Sequence, residues 1–217
     1  MDSIITISRQ YGSGGKEIGR RLAQRLGIPF YDKDIITDIA KKTPFQNNIF
    51  NKEEGMMANS LIYAIAMGMN SYNFRDTGGC AMSIEDQTYM NQCAVIRKIA
   101  KEGPCIIVGR CADYILEQED IIKFYIWSSI ESRIHRAKEV YGESHNKAQE
   151  NILRIDKKRS AYYRYHSGQR WGNVSNYDMV LRSDLLGIEG TVDILENIIN
   201  MKNDECIEDE AYVKEIL

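Results

Sequence analysis

The feature that most constrains the fold of this chain is a glycine-dense turn directly after an apolar N-terminal segment. Ile4-Ile5-Thr6-Ile7 is rich in β-branched residues and predicts a buried strand. Four small residues, Gly12-Ser13-Gly14-Gly15, come soon after it. The next segment has helical periodicity, with apolar side chains at Ile18, Leu22 and Leu26. Because a strand, a glycine turn and a helix start in this order present backbone N–H groups to one point, the segment predicts a phosphate-binding turn.

The turn approaches the nucleotide-binding pattern G-x-x-x-x-G-K-[ST] without matching it. With Gly15-Lys16 set on the G-K, Gln10 replaces the first glycine and Glu17 replaces the hydroxyl that binds Mg²⁺. A second register sets Gly12-Ser13-Gly14 on G-x-G and leaves Lys16 one position late. Neither register supplies a standard magnesium ligand. Two interpretations therefore stay open, a phosphate-binding turn and a glycine-rich strand–helix connection that binds nothing.

Strands and helices alternate along the rest of the chain. Further strands are predicted at residues 29–31, 105–108, 121–127 and 177–181. Helices are predicted over 16–26, after Asp32, between Ser83 and Gly103, over 112–116, from Ser128-Ser129 to Gly142, over about 146–165 and over 191–200. The helix after Asp32 is expected to bury Ile35, Ile36, Ile39 and Ala40. The last helix is expected to face inward with Val192, Leu195 and Ile199. This alternation predicts an α/β domain with a mainly parallel, five-stranded sheet.

Residues 43–82 have a different character. Loop-like segments at 44–48 and 77–79 flank a helical segment rich in Met and Ala at 58–69. We interpret this region as a helical insertion into a single domain that spans residues 1–217. The acidic segment 204–210 predicts either a solvated tail or an added helix.

Composition excludes several function classes. A net charge of −3 leaves no overall basic field, so no nucleic-acid partner is expected. The five cysteines form no C-x-x-C pair and have no zinc spacing, which favours reduced thiols in the cytoplasm. The weakly polar stretch 61–69 is shorter than the ~20 residues of a membrane span. The three histidines lack partners at the spacing of a hydrolytic triad.

Charged side chains follow the predicted strands where ligands of parallel sheets bind. After the third strand, Arg110 is suited to bind a phosphate or carboxylate and Asp113 to accept from a base or sugar. The alternative is that Asp113 caps a helix and pairs with Arg110 on the surface. After the fourth strand, Arg133 and Arg136 lie one helical turn apart and are suited to a triphosphate, with a solvated basic face as the alternative.

A second charged patch lies on the predicted helix 146–165. Asp156 and Arg159 are three residues apart, which suits either a joint contact with a ligand or a simple intrahelical ion pair. The nearby aromatic run 162–165 favours packing over base stacking.

Taken together, these segments resemble the bacterial cytidylate-kinase-like proteins, relatives of the nucleoside monophosphate kinases. The likeness covers residues 4 to about 199 and is poor over 44–82. The segments that carry it are residues 5–18, 106–110, 132–136, 156–159 and 176–178.

The resemblance implies a three-layer P-loop NTPase fold with an acceptor-binding helical insertion at 43–82 and an Arg-rich helical lid at 129–170. It implies transfer of the γ-phosphoryl of ATP, with Mg²⁺, to a nucleoside monophosphate, with CMP or dCMP as the first candidates. The alternatives are a non-catalytic nucleotide-binding or regulatory protein on the same scaffold, and a kinase for another small acceptor.

The resemblance also implies roles for individual residues. The donor phosphates would contact Gly12, Ser13, Gly14, Gly15, Lys16 and Glu17. The catalytic cations would be Lys16, Arg133, Arg136 and Arg159, and the acceptor would contact Asp32, Arg110, Asp113, Asp156 and Arg159. The missing strand-end aspartate leaves the metal ligands unassigned, with Asp32 or Asp34 as substitutes. The oligomeric state is not assigned either.

Overall fold

The computed structural model describes residues 3–42 and 83–216, with side chains described as far as Asn203. Its contacts divide the chain into two compact units, Met1–Lys33 with Ile96–Leu217, and Asp34–Val95. All five strands belong to the first unit. The predicted insertion at 43–82 lies outside the described residues.

The first unit is built on one parallel sheet. Its strands are β1 (Ile4–Arg9), β2 (Phe30–Tyr31), β3 (Cys105–Val108), β4 (Ile121–Trp127) and β5 (Met179–Arg182). Their order is β2-β3-β1-β4-β5 and every neighbouring pair is parallel. The predicted five-stranded α/β sheet is confirmed, and β1 occupies its centre with its carboxyl end between those of β3 and β4.

Seven helices are described. They are α1 (Gly15–Leu26), α2 (Lys33–Lys42), α3 (Ile84–Glu102), α4 (Ala112–Ile115), α5 (Ile130–Tyr141), α6 (His145–Ser167) and α7 (Ser183–Ile216). A short 3₁₀ turn covers Val174–Asn176. The prediction for α7 was too short at both ends, because the helix resumes beyond a non-helical Gly187 and continues through the acidic segment. None of the helices in the described ranges has the length and apolar character needed to cross a membrane.

The core of the first unit lies between the sheet, α1 and α7. Ile5 and Ile7 of β1 pack with Ile18 and Leu22 of α1, all at most 1% exposed. The same cluster includes the side chains predicted to face inward from the last helix, Val192, Leu195 and Ile199. The apolar periodicity of α1 and α7 therefore fixes the start of α1, and with it the glycine turn, against the sheet.

The ends and faces of the helices in the second unit follow simple rules. Ser83 caps α3 as predicted, because the Asp86 amide donates to Ser83 Oγ (3.1 Å) and Ser83 Oγ donates to the Asp86 carboxylate (2.7 Å). In α2, Ile36 and Ala40 are buried, but Ile35 is 38% exposed. The prediction that Ile35 is buried was wrong. Ile36 and Ala40 are four residues apart and share the buried helix face, whereas Ile35 lies about 100° around the helix from Ile36.

Candidate functional site

The glycine turn requires its glycines for two separate reasons. Gly12 and Gly14 both have φ of 78°, a left-handed conformation that favours glycine. A Cβ on Gly12 would lie 3.0 Å from Arg133 Cβ, and one on Gly15 would lie 2.6 Å from Arg9 Cβ. No side chain caps the start of α1, where Gly14 is the N-cap residue. The N-terminus of this twelve-residue helix is uncapped and lies beside these glycines, so its backbone N–H groups are suited to bind an anion.

Gln10, at the position of the missing first glycine, ties the turn to the sheet. Its side-chain oxygen accepts from the Ser128 amide just after β4 (3.1 Å), and its carbonyl accepts from Ser13 Oγ (2.9 Å). The Ser13 carbonyl in turn accepts from Ser183 Oγ at the start of α7 (2.7 Å). The departure from the standard pattern thus has a structural use at this position.

Lys16 and Asp32 are brought together at the sheet edge. Lys16 Nζ lies 2.6 Å from Asp32 Oδ2. Asp32 follows β2 directly and is 4% exposed, whereas the Lys16 side chain is 47% exposed. The ion pair therefore has one buried end, and it orients the lysine at the start of α1.

Residues of α5 and α6 clamp Tyr11 in the turn. The Tyr11 amide donates to Asp156 Oδ1 (2.8 Å), and Arg133 Nε donates to the Tyr11 carbonyl (2.7 Å). Arg133 also forms an ion pair with Asp156. The Tyr11 hydroxyl donates to Glu143 Oε1 (3.0 Å), and burial followed by this bond raises the pKa of Tyr11 to about 12. The clamp holds α5 and α6 against the glycine turn.

Arg136 and Glu17 form a second link between α5 and α1. Arg136 donates to Glu17, which also accepts from Arg21. Burial opposes ionisation of Glu17, but the bonds and charges of Arg136 and Arg21 outweigh it and hold the pKa of the carboxyl below its ordinary value. The alternative of a solvated basic face does not hold, since Arg133 is 6% exposed and Arg136 is engaged by Glu17.

The segment after β3 has an unusual backbone. Gly109, Arg110 and Cys111 have φ of 79°, 61° and 54°. Left-handed conformations at two consecutive non-glycine residues cost about 1–2 kcal/mol each. Arg110 lies over the ring of Tyr162, 4.2 Å from its centroid, and donates to the Tyr162 hydroxyl. The strained segment thereby directs Arg110 toward α6.

Asp113 and Arg159 do not form the simple ion pairs that the sequence left open, with Arg110 and with Asp156. Asp113 is 5% exposed and accepts from the Tyr163 hydroxyl (2.8 Å), so it does not pair with Arg110 on the surface. Burial raises the pKa of Asp113, and the bond from Tyr163 offsets this only in part. Arg159 donates to the Arg9 carbonyl (2.8 Å) rather than pairing within α6.

Arg9, the last residue of β1, is a site residue that sequence reasoning missed. Its guanidinium interacts electrostatically with Arg159, Asp32, Arg110 and Asp156. Burial, followed by the charge of Arg159, lowers the pKa of Arg9 to about 9, so the group remains a cation at neutral pH. The available signal was a charged residue that ends a buried strand immediately before the turn. The six side chains that meet at this sheet edge, here the strand-end cluster, are Arg9, Lys16, Asp32, Arg110, Asp156 and Arg159.

Metal ligands are sparse in the part of the chain that the structure describes. No group of three or more His, Cys, Asp or Glu side chains there is arranged to hold a metal ion. Asp32 is the carboxylate at the strand ends next to the turn lysine. A single carboxylate is enough for Mg²⁺ when nucleotide phosphates supply further ligands.

Comparison with known proteins agrees with the fold described above. A model of the cytidylate kinase-like family matches residues 4–185. Among curated proteins, no significant match is found. An uncharacterized protein from Eubacterium ventriosum has a similar structure, with a TM-score of 0.71, 24% identity and coverage of 93% of this chain and 99% of its own.

Shikimate kinases share the fold at lower identity. The enzyme from Bacteroides thetaiotaomicron has a TM-score of 0.50 and 13% identity, covering 92% of this chain and 99% of its own. The Acinetobacter baumannii enzyme, solved in complex with shikimate, has a TM-score of 0.50 and 15% identity, covering 93% and 96%. The chain therefore has the fold of P-loop kinases.

Proposed function

We propose that this chain, which belongs to the cytidylate kinase-like family, transfers the γ-phosphoryl group of ATP to a nucleoside monophosphate. The observation that carries the proposal is the turn between β1 and α1. There, glycines with positive φ, an uncapped helix start and Lys16 lie beside several arginines. Phosphoryl transfer is catalysed mainly by positioning and by cations around the phosphate oxygens, which this arrangement is suited to supply.

In this proposal the turn holds the donor. The residues Gly12 to Glu17 would surround the phosphates of ATP, since α1 starts there without a side-chain cap and its first backbone N–H groups point toward the turn. Lys16 would bind the phosphate oxygens. Asp32 would hold Mg²⁺ together with the nucleotide, and the metal would neutralise charge on the transferred group. Arg133 and Arg136 would contribute cations from α5 when their present carboxylate partners are displaced.

The acceptor would lie at the other strand ends. Arg110 and Arg159 are proposed to bind it, with Asp32 and Asp156 accepting from its hydroxyl or amino groups. Asp113 is buried and bonded to Tyr163, so we do not include it among the direct contacts. CMP and dCMP are the first acceptors to test, because the family likeness points to cytidylate kinases.

A coupled assay of ADP release decides the proposal. The full chain is incubated with ATP, Mg²⁺ and each of CMP, dCMP, UMP, AMP and GMP, and the rates are compared with ATP alone. We expect turnover with at least one acceptor, fastest with CMP or dCMP. Background rates with every acceptor would overturn the proposal.

A second candidate is nucleotide binding without catalysis. The Glu17 carboxylate favours it, because it stands where a magnesium-binding hydroxyl is standard and is already bonded to Arg136 and Arg21. Calorimetry with ATP separates the two candidates. ATP affinity that does not change with Mg²⁺, together with no ADP release, supports the second candidate, whereas Mg²⁺-dependent affinity with turnover supports the first.

A further inference from the structure

Arg9 has a partly buried guanidinium with no hydrogen-bond or ion-pair partner among the residues that the structure describes. Its Nε has no accessible surface and no hydrogen bond, although the residue as a whole is only partly buried. Among the described residues, the guanidinium forms neither a hydrogen bond nor an ion pair. An N–H group that is removed from water without an acceptor is costly, so a side chain placed in this way requires a compensating reason.

The neighbouring carboxylates are already engaged. Asp32 pairs with Lys16 at 2.6 Å, and Asp156 pairs with Arg133. The other groups that act on Arg9 are cations, Arg159 and Arg110, and both lower its pKa. The strand-end cluster therefore carries more positive than negative charge around the Arg9 guanidinium, which is the condition for binding an anion.

The position of the guanidinium distinguishes it from the glycine turn. Although Arg9 ends β1, its Nη1 lies against Gly109, directly after the neighbouring strand β3, where a Cβ would overlap it. Arg110 follows in the chain, and β3 lies between β1 and β2. The guanidinium is thus on the side of β1 that leads to β3 and Asp32, whereas α5 and α6 clamp the turn through Tyr11.

We propose that Arg9 is a specificity-determining anion ligand, which binds the phosphate monoester of the acceptor between the ends of β1 and β3. The planar fork of the guanidinium suits a bidentate contact with such a phosphate. The identity of the anion as an acceptor phosphate rests on the proposed function. The inference that Arg9 binds an anion at this position does not depend on the proposed function.

The test compares the wild-type chain with Arg9→Gln and with a control, Arg97→Gln. Arg97 is exposed on α3 and has no partner among the described residues. Each protein is first saturated with a non-hydrolysable ATP analogue, which occupies the turn, and is then titrated calorimetrically with orthophosphate. Urea unfolding without ligand is measured in parallel.

We expect Arg9→Gln to weaken orthophosphate binding at least tenfold, to change the affinity for the ATP analogue less than twofold, and to leave the urea midpoint equal or higher. A higher midpoint follows because the substitution removes a cation whose buried Nε has no acceptor, as is common where function opposes stability. Arg97→Gln is expected to match wild type. Orthophosphate affinity within twofold of wild type in Arg9→Gln overturns the proposal, and so does a lower midpoint, which would mean a structural role.

The same measurements separate this inference from the proposed function. If orthophosphate binds through Arg9 but no nucleoside monophosphate is turned over, the proposed function fails and the anion site stands. If the ATP analogue does not bind, orthophosphate is titrated alone, and the comparison of wild type with Arg9→Gln still decides on Arg9.

Discussion

Lys16 is the residue whose assignment as a phosphate ligand is simplest to test, because its side chain is half exposed and contributes little to the core. Its ion pair with Asp32 has one exposed end, the lysine, and one buried end, the carboxylate. Under the proposed function, Lys16 contacts the transferred phosphate. We therefore predict that Lys16→Ala lowers kcat at least a hundredfold in a protein that still folds, with a urea midpoint below that of wild type because the buried Asp32 loses an ion-pair partner.

The measurement is the ADP-release assay at saturating ATP, with urea unfolding as the control for folding. An unchanged rate in a folded variant would show that Lys16 is not the phosphate lysine. A matched control is Lys98→Ala, which removes an exposed lysine of α3 outside the strand-end cluster.

Gly109 offers a second test at the same scale, since its substitution moves Arg9 without removing its charge. Gly109→Ala forces a left-handed alanine and places a Cβ on the Arg9 guanidinium, which must shift. The control Gly142→Ala has a similar φ, 67° against 79°, with open space around its Cβ. We predict a similar loss of stability for both, about 1–2 kcal/mol from the backbone alone.

Only Gly109→Ala is expected to weaken orthophosphate binding, by about tenfold or more, because only there is the Arg9 guanidinium displaced. The readouts are urea unfolding and calorimetry on both variants. Equal phosphate affinity in the two variants would mean that the guanidinium tolerates the added Cβ or is not the ligand.

At the scale of elements, the docking of α5 and α6 on the glycine turn depends on Asp156. Its carboxylate, 17% exposed, forms an ion pair with Arg133, whose side chain is 7% exposed, and accepts a hydrogen bond from the Tyr11 amide. Removing one partner of a buried pair leaves the other charge uncompensated and costs about 3–5 kcal/mol. We predict that Asp156→Ala lowers the free energy of unfolding by about 3 kcal/mol, as measured by urea unfolding.

The matched control is Lys98→Ala, which removes an exposed ion pair on α3. Lys98 and Glu102 lie 3.8 Å apart with side chains 73% and 59% exposed, so Lys98→Ala is expected to cost less than about 1 kcal/mol. If Asp156→Ala cost no more than Lys98→Ala, the clamp on Tyr11 would not contribute to the folded state in solution.

Elements were easier to predict from the sequence than contacts. The five strands and most helices follow from apolar periodicity and from glycine, proline and serine boundaries, which are local signals. The partners of Arg133, Arg136 and Asp156 do not, because each pairs with a residue 23 to 145 positions away in the chain. Arg9 was missed for a related reason, since its importance comes from its lack of partners in the described part of the chain, which only the packed sheet reveals.

At the scale of the whole first unit, α1 and α7 are joined by a core and by a surface network. The core residues Ile18, Leu22 and Leu195 are fully buried. Above them, Arg21 and Arg25 of α1 bond to acidic side chains of α7, Glu189, Asp193 and Glu196. Exposed ion pairs of this kind stabilise weakly and are screened by salt, so the buried side chains carry most of the attachment.

Acidification should nevertheless loosen this unit through its carboxylates. Glu17 is less exposed than Glu189, and it joins α5 to α1 through Arg136 and Arg21. Its bonds to these arginines, working against burial, hold the pKa of Glu17 below its ordinary value of 4.5. A carboxyl with a lowered pKa stabilises the fold at pH above its unfolded value, and that contribution is lost as the pH falls through the folded value.

We therefore predict that the urea midpoint of wild type falls as the pH is lowered below about 4.5, and that Glu17→Gln falls less steeply. The variant should be less stable than wild type at pH 7, and the two curves should converge as the pH falls through the lowered folded-state pKa of Glu17. The control is Glu150→Gln, which replaces an exposed glutamate of α6 that has no partner among the described residues. Its urea midpoint should change with pH in the same way as that of wild type. If the stability gap between wild type and Glu17→Gln stayed constant while the pH was lowered from 7 until both proteins unfold, ionised Glu17 would not be the link between α5 and α1.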